Sequence, residues 1–356
     1  MNYIGSKHSL LDFIYQWISK IVAHPDYIVS DLFAGTGAVG KMFKSKWHRI
    51  TANDLQYYSY ILNANYIGNN QILYFMGLIT IVPWLIDVDI HERKSRVCDY
   101  LTQIEWVEWF IYHNYSPWGT LWQEHERMYF SDDNARQCDA IRQKIEQRYT
   151  DETITESEYH FLLATLVEAI DKVANTASVY GAFLKKLKKS ALKPLMMKPA
   201  EYYIDAHQHQ VYNLNINDLI KTTTHDVVYL DPPYNQRQYS GNYHILETIA
   251  LYDNPIIKGK TGLRDRSNQK SRYCSRSQVL QQFTDLIDTI DAKYVFLSYN
   301  NEGLMSHDDI QQIMSRRWEY GVFTTEYARF KADKTQNRNH KKDRVTEYLH
   351  RIKIQK

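Results

Sequence analysis

Tyr27-Ile28-Val29-Ser30-Asp31-Leu32-Phe33-Ala34-Gly35-Thr36-Gly37 decides the fold class of this chain. The run from Tyr27 to Phe33 is apolar and β-branched enough for a buried strand. The small residues that follow let the backbone approach a ligand at the strand's carboxyl end. Val39 to Phe43 then has helical spacing, and Arg49-Ile50-Thr51-Ala52 reads as a second strand ending at Asn53-Asp54. Strand, glycine turn, helix, strand and acid form the opening of a nucleotide-binding α/β unit. A lone glycine turn is as readily structural, and Gly-Thr-Gly is not the spacing that cradles a pyrophosphate. Asp54, about twenty residues on, stands where an acid receives ribose hydroxyls. Together they point to an adenosine-containing ligand without a pyrophosphate.

Ahead of this unit, Leu10, Phe13, Ile14, Trp17, Ile18 and Ile21 share one face of a helix starting near Ser6 or Ser9. After it the βαβ alternation stops. From about Tyr66 to Pro199 the chain reads as mainly helical and rich in Trp and Tyr. Strands return at Gln210–Asn213, Asp226–Leu230, Lys293–Tyr299 and Arg344–Ile352. The organisation expected is one α/β domain, residues 1–65 and 200–356, carrying a helical insertion over 66–199. Polar, basic residues 258–276 and 333–343 read as mobile loops.

Composition narrows the class. A chain of 356 residues with 44% apolar residues can bury a sizeable core. No apolar run reaches the ~18 residues of a membrane span. The N-terminus has no signal-peptide pattern, so a cytoplasmic location is expected. The three cysteines are far apart, without the CxxC spacing of a metal site, and read as reduced and structural. No metal is expected. Net charge is only +2, but basic residues cluster. One group is Lys185, Lys186, Lys188, Lys189 and Lys193. A second is Lys258, Lys260, Arg264, Arg266, Lys270, Arg272 and Arg276. A third is Arg329, Lys331, Lys334, Arg338, Lys341, Lys342 and Arg344. Any one alone reads as a solvated face. The 29 tyrosines are a surplus that suits stacking on unpaired bases as well as core packing.

The chemistry centres on Val227-Val228-Tyr229-Leu230-Asp231-Pro232-Pro233-Tyr234. A buried strand ends in two prolines, which donate no amide hydrogen and fix the direction of their carbonyls. The corner is rigid and offers only acceptors. A carboxylate and a fixed carbonyl can take both hydrogens of an exocyclic amine and leave its lone pair aimed at an electrophile. Tyr234 can lie over the ring that bears the amine. Alone, Asp-Pro is as readily an ordinary turn. Near the N-terminus, Tyr3-Ile4-Gly5-Ser6-Lys7 offers a glycine turn, a capping serine and a cation for a carboxylate.

In this order, Tyr3-Ile4-Gly5-Ser6-Lys7, Asp31 to Gly37, Asn53-Asp54 and Asp231-Pro232-Pro233-Tyr234 resemble the Dam-like (alpha-group) DNA adenine N6-methyltransferases of bacterial restriction–modification systems. The resemblance covers both ends of the chain and leaves the insertion unconstrained. It implies a Rossmann-like class I S-adenosylmethionine-dependent methyltransferase sheet, with the insertion as a target-recognition subdomain. It implies that Tyr3 and Lys7 line the methionine end of S-adenosylmethionine, Lys7 near its carboxylate. Asp31, Phe33, Ala34, Gly35 and Gly37 would wrap the methionine and sugar, with Asp54 on the ribose. Asp218 and Leu219, after Asn217, match loosely the position that meets the cofactor adenine. Asp231, Pro232, Pro233 and Tyr234 would hold an adenine flipped from double-stranded DNA. A restriction endonuclease would be the functional counterpart.

Residues 161–189 read as a helix with a polar break at Asn175-Thr176, placing Lys185, Lys186, Lys188 and Lys189 on DNA phosphates. Arg264, Arg266, Lys270, Arg272 and Arg276 form the second expected DNA surface, with Tyr239, Tyr243 and Tyr273 as stacking candidates. A cytosine C5 mechanism is excluded, since no proline precedes a cysteine. Cytosine N4 methylation, an RNA substrate, or an inactive nucleic-acid-binding relative remain alternatives.

Overall fold

The computed structural model describes residues 3–22, 24–317, 319–328 and 344–354. Among the described residues nine strands, numbered along the chain, are β1 (Val29–Asp31), β2 (Ile50–Asn53), β3 (Gln210–Tyr212), β4 (Thr224–Leu230), β5 (Ile257–Lys258), β6 (Leu263–Arg264), β7 (Asp291–Asn300), β8 (Glu319–Ala328) and β9 (Arg344–Lys353). Two compact units divide the chain. One holds residues 4–63, 206–239 and 268–356; the other holds 1–3, 64–205 and 240–267.

The first unit is built on a seven-stranded sheet in the order β3-β2-β1-β4-β7-β9-β8. The five strands from β3 to β7 are parallel. β9 and β8 close the edge as an antiparallel pair. β1 and β2 are buried along their whole length and β4 from Val227 to Leu230, as parallel strands covered on both faces are. On one face Leu32, Val228, Leu230, Val295 and Leu297 join a core with the helices Val279–Thr289 and His307–Met314. The helix Ala38–Lys44 packs on β1 and β2. The chain leaves β1 towards one edge and returns through β4 on the other side of β1. The strand order therefore reverses between these two strands, which is where doubly wound sheets open a crevice beyond their carboxyl ends. The first helix, Leu11–Ile21, follows a short turn at His8–Leu10, and neither start has a side-chain cap. Ser6 therefore does not cap it.

The second unit is helical. Its longest helices are Ile90–Thr102, Asp132–Thr150 and Glu156–Lys172. Buried polar side chains organise it. Asp139 accepts the amides of Trp109, Ile111 and Tyr112 at the start of the helix Phe110–Tyr115. Arg142 donates to the carbonyls of Ile249 and Ala250 at the end of the helix His244–Leu251. This unit also takes in residues 240–267, with the small hairpin β5–β6.

Two expectations change. The helix over 161–189 ends at Lys172. Beyond it the chain folds back on Asn175, whose carbonyl accepts the amide of Leu184 and whose side chain accepts that of Lys188. The 258–276 loop contains the β5–β6 hairpin. Segment 333–343 lies outside the described residues.

Candidate active site

The sheet brings together motifs separated by about two hundred residues. Asp31 closes β1, and Asp231 follows the last residue of β4, its parallel neighbour. Asp31 is buried. Its Oδ2 accepts the amide of Gly40 at 3.3 Å, and its Oδ1 has no hydrogen-bond partner among the described residues. Burial, reinforced by the charge of Asp231, pushes its carboxyl up to about 8.

The glycine turn that follows β1 is held by a second carboxylate, Asp54. Gly35 and Gly37 take positive φ values of 51° and 76°, which a side chain would strain. Gly35 N donates to Asp54 Oδ2 at 2.8 Å, and Gln56 N donates to Asp54 Oδ1 at 2.8 Å. Both oxygens are thereby oriented beside the turn. Asn63 holds the turn from behind through the Gly35 carbonyl at 2.9 Å. Asn53 ties β1 to the segment after β3, donating to the carbonyls of Leu32 and Leu214 and accepting the Leu214 amide. Ala34 is buried and bonded to the Asn53 carbonyl. Phe33 meets Tyr273 edge-on, with ring centroids 5.1 Å apart.

At the opening of the crevice, Lys7 carries its ammonium into the protein. Nζ lies 3.2 Å from Asp231 Oδ1 and 2.8 Å from Glu347 Oε1. Burial alone would lower this amine, but the two carboxylates outweigh it and hold Lys7 well above the usual lysine range. Burial pushes Asp231 up to about 7 against the opposing pull of Lys7. Ser298, on β7, donates to the same oxygen of Glu347. Pro232 is buried, and the carbonyl of Tyr234 accepts the Leu304 amide. Gly5 has φ 78°, and a Cβ there would stand 2.8 Å from Tyr239 Oη and 3.7 Å from the Tyr234 ring. Tyr239 Oη in turn donates to the Ile4 carbonyl. The N-terminal motif thus packs directly against the Asp-Pro-Pro-Tyr corner.

The surroundings of the other expected residues vary. Tyr3 falls in the helical unit, where its ring stacks on buried Tyr243 at 4.8 Å. Asp218 is exposed and pairs with Lys221, whereas Leu219 is buried in the apolar core. Tyr243 and Tyr273 are both buried, so neither presents a ring to solvent for stacking. Arg264 is 8% exposed, and its guanidinium grips Asp253 through two bonds of 2.9 and 2.6 Å. It is a structural ion pair of the hairpin. Arg266 lies under Gly241, where a Cβ would meet its guanidinium. Lys270, Arg272 and Arg276 are exposed on the sheet unit. Lys185, Lys186 and Lys189 are exposed in the helical unit, while Lys188 donates to the Thr176 carbonyl. Of the third basic group, Arg329 to Lys342 lie outside the described residues, and Arg344 opens β9. Among the described residues no three His, Cys, Asp or Glu side chains are grouped to hold a metal, and no helix is long and apolar enough to cross a membrane.

Glu347 went unread in the sequence. Val345, Glu347 and Leu349 alternate on β9, and all three are buried. A carboxylate in an apolar period-two register was the available signal.

A doubly wound sheet with a glycine turn after β1, an oriented acid after β2 and an acceptor corner after β4 defines a methyltransferase of the Rossmann-like class. Residues 3–313 match the family model of the D12 class N6 adenine-specific DNA methyltransferases, and the chain belongs to that family. The type II methyltransferase M.NlaIII of Neisseria lactamica is 50% identical over 98% of both chains. M.CviAII of Paramecium bursaria Chlorella virus 1 is 34% identical over 93% of both. M.FokI of Planomicrobium okeanokoites is 38% identical over 93% of this chain and 50% of its own length. The enzyme methylates DNA with S-adenosylmethionine as donor, as the motifs of the sequence led one to expect.

Proposed function

We propose that this enzyme methylates the N6 amine of adenine at a defined sequence in double-stranded DNA, as the cytoplasmic modification partner of a restriction endonuclease in a bacterial type II system. The observation that carries the site assignment is the parallel pairing of β1 with β4, in which Asp31 stands opposite Tyr229 and Asp231 follows two residues on, where the strand order reverses. Type II methyltransferases among the relatives support the restriction context.

The residues present fit the donor. The buried Asp31 oxygen without a partner is a place for a cation-bearing ligand, and the Gly35–Gly37 turn admits close backbone approach. In this reading Asp31, Phe33, Ala34, Gly35 and Gly37 hold the methionine and sugar, and Asp54 the ribose. S-Adenosylmethionine supplies an electrophilic methyl group on a sulfonium. Asp231 and the Pro232 carbonyl accept the two amine hydrogens of the flipped adenine, and Tyr234 stacks on its ring. Pro233 keeps the corner rigid. The amine lone pair is left pointing outward, so orientation and fixed acceptors supply most of the rate. Leu219 lies in the core below the crevice, and Lys7 serves Asp231. The helical unit, with its exposed lysines, reads the target.

Asp231→Ala is expected to abolish methyl transfer while leaving S-adenosylmethionine binding close to wild type. Nucleoside analysis of methylated DNA should show N6-methyladenine. N4-methylcytosine as product, methylation of RNA in preference to duplex DNA, or a fully active variant would each refute the assignment.

A further inference from the structure

We propose that Glu347 is a positioning residue of the methyl-transfer site, sharing the Lys7 ammonium with Asp231 so that Asp231 stays basic enough to take the proton released by the methylated amine. The inference rests on the assignment of Asp231 to the target amine.

The geometry is a three-charge chain at the carboxyl edge of the sheet. Lys7 Nζ lies closer to Glu347 Oε1, at 2.8 Å, than to Asp231 Oδ1, at 3.2 Å. Glu347 is 1% exposed, and Ser298 fixes the oxygen that Lys7 uses. Its other oxygen is buried without a hydrogen-bond partner among the described residues. A buried glutamate on an apolar strand face is costly unless paired, and its pairing is made with the same cation that serves the corner. The titratable groups facing Asp231 are Lys7 from the N-terminal segment, Asp31 at the end of β1, Tyr229 and Tyr234 flanking the corner, Tyr299 on β7 and Glu347 on β9. Lys7 is the cation among them, and the negative charge of Glu347 opposes its effect on Asp231.

The reaction needs such a balance. As the amine nitrogen forms its bond to the methyl carbon, the carbon–sulfur bond breaks and its electron pair stays on sulfur. The positive charge passes from sulfur to nitrogen and leaves as one proton. A carboxylate held wholly by Lys7 would be a weak acceptor for it. With the ammonium shared, Asp231 receives the proton and later yields it to water.

The test is the pH dependence of single-turnover methyl transfer, which reads the chemical step apart from product release. Glu347→Gln retains the shape and the acceptor for Lys7 and Ser298 but removes the charge. Asp231 is then the one carboxylate paired with Lys7. The acidic limb of the rate is expected to move down by on the order of one pH unit, since one like charge is lost beside Asp231. The plateau rate should fall about tenfold or more, with KM for DNA and donor unchanged. Ser298→Ala removes a hydrogen bond from the same carboxylate without its charge, and the limb should stay in place. A limb unmoved in Glu347→Gln, or moved equally by Ser298→Ala, overturns the inference while leaving Asp231 in its role. Should Glu347→Gln not fold, Glu347→Asp keeps the charge and carries the test. With the charge kept, an unmoved limb and a plateau near that of the wild type support the inference, and a displaced limb overturns it. Loss of the Asp231 reading would show instead as activity retained in Asp231→Ala.

Discussion

Replacing Asp31 by Asn should make the ligand-free enzyme more stable as the solution becomes more alkaline. Asp31 Oδ2 takes the Gly40 amide, which an Asn carbonyl can also accept, and Oδ1, without a partner, is the position of the new amide nitrogen. The substitution therefore removes the titration with little change of shape. In the fold the carboxyl is pushed from an ordinary 3.8 up to about 8 by burial and then by the charge of Asp231. A raised carboxyl favours the protonated form, so its contribution to stability is complete below about pH 4 and is lost as pH rises through about 8. Each unit corresponds to about 1.4 kcal/mol, so the ionisation at pH 7 costs about 4 kcal/mol. At roughly 2 °C per kcal/mol for a chain of this size, the variant should melt several degrees above wild type at pH 8. The two melting curves should converge towards pH 4. Thermal melts without donor between pH 5 and 8.5 provide the assay. Parallel curves for the two proteins, or a variant that melts below wild type at pH 8, would refute the reasoning.

Two further outcomes concern the basic surface. Changing Lys185, Lys186 and Lys189 together to Gln should weaken binding to all DNA sequences alike and reduce the salt slope by about 2–3. An unchanged slope removes these side chains from the DNA path. Lys188 is left out because its ammonium is already on the Thr176 carbonyl. Arg264→Met, by contrast, should lower stability by about 1–2 kcal/mol, discounted because Asp253 is half-exposed. DNA affinity measured on the folded protein should keep its salt slope, and a slope lowered by about one unit would restore Arg264 to the DNA surface.

The motifs of the candidate site were legible because they are short, local and chemically restrictive. Asp-Pro-Pro-Tyr can only end a strand, Gly35 and Gly37 need positive φ, and an acid after β2 is held in place by the turn it serves. The family and sheet class followed from these residues. The parts that were not legible depend on contacts distant in sequence. Apolar residues continue past Lys172 at Val173 and Ala174, so the local pattern gives no stop. The chain turns because Asn175 satisfies the backbone of Leu184 and Lys188 and donates to the Met128 carbonyl. β8 is an edge strand with little burial, so its alternation carries weak contrast. Arg264 looked like its basic neighbours until Asp253 was brought against it.

The pairing of β1 with β4 also governs how this protein is made. Ser30 meets His225 across it, 195 residues later in the chain. At roughly 5–20 residues per second, the central strand leaves the ribosome about ten to forty seconds before its partner exists. During that time β1 can pair on one side with β2, while its other edge stays open. Most of the helical unit is synthesised in the interval, and it is completed only when residues 240–267 follow β4. The joining of β1 with β4 must therefore wait until most of the chain has been made, and only then do Asp31 and the corner at Asp231 come together. A chain that ends before β4 therefore lacks the corner at Asp231 and leaves one edge of β1 open.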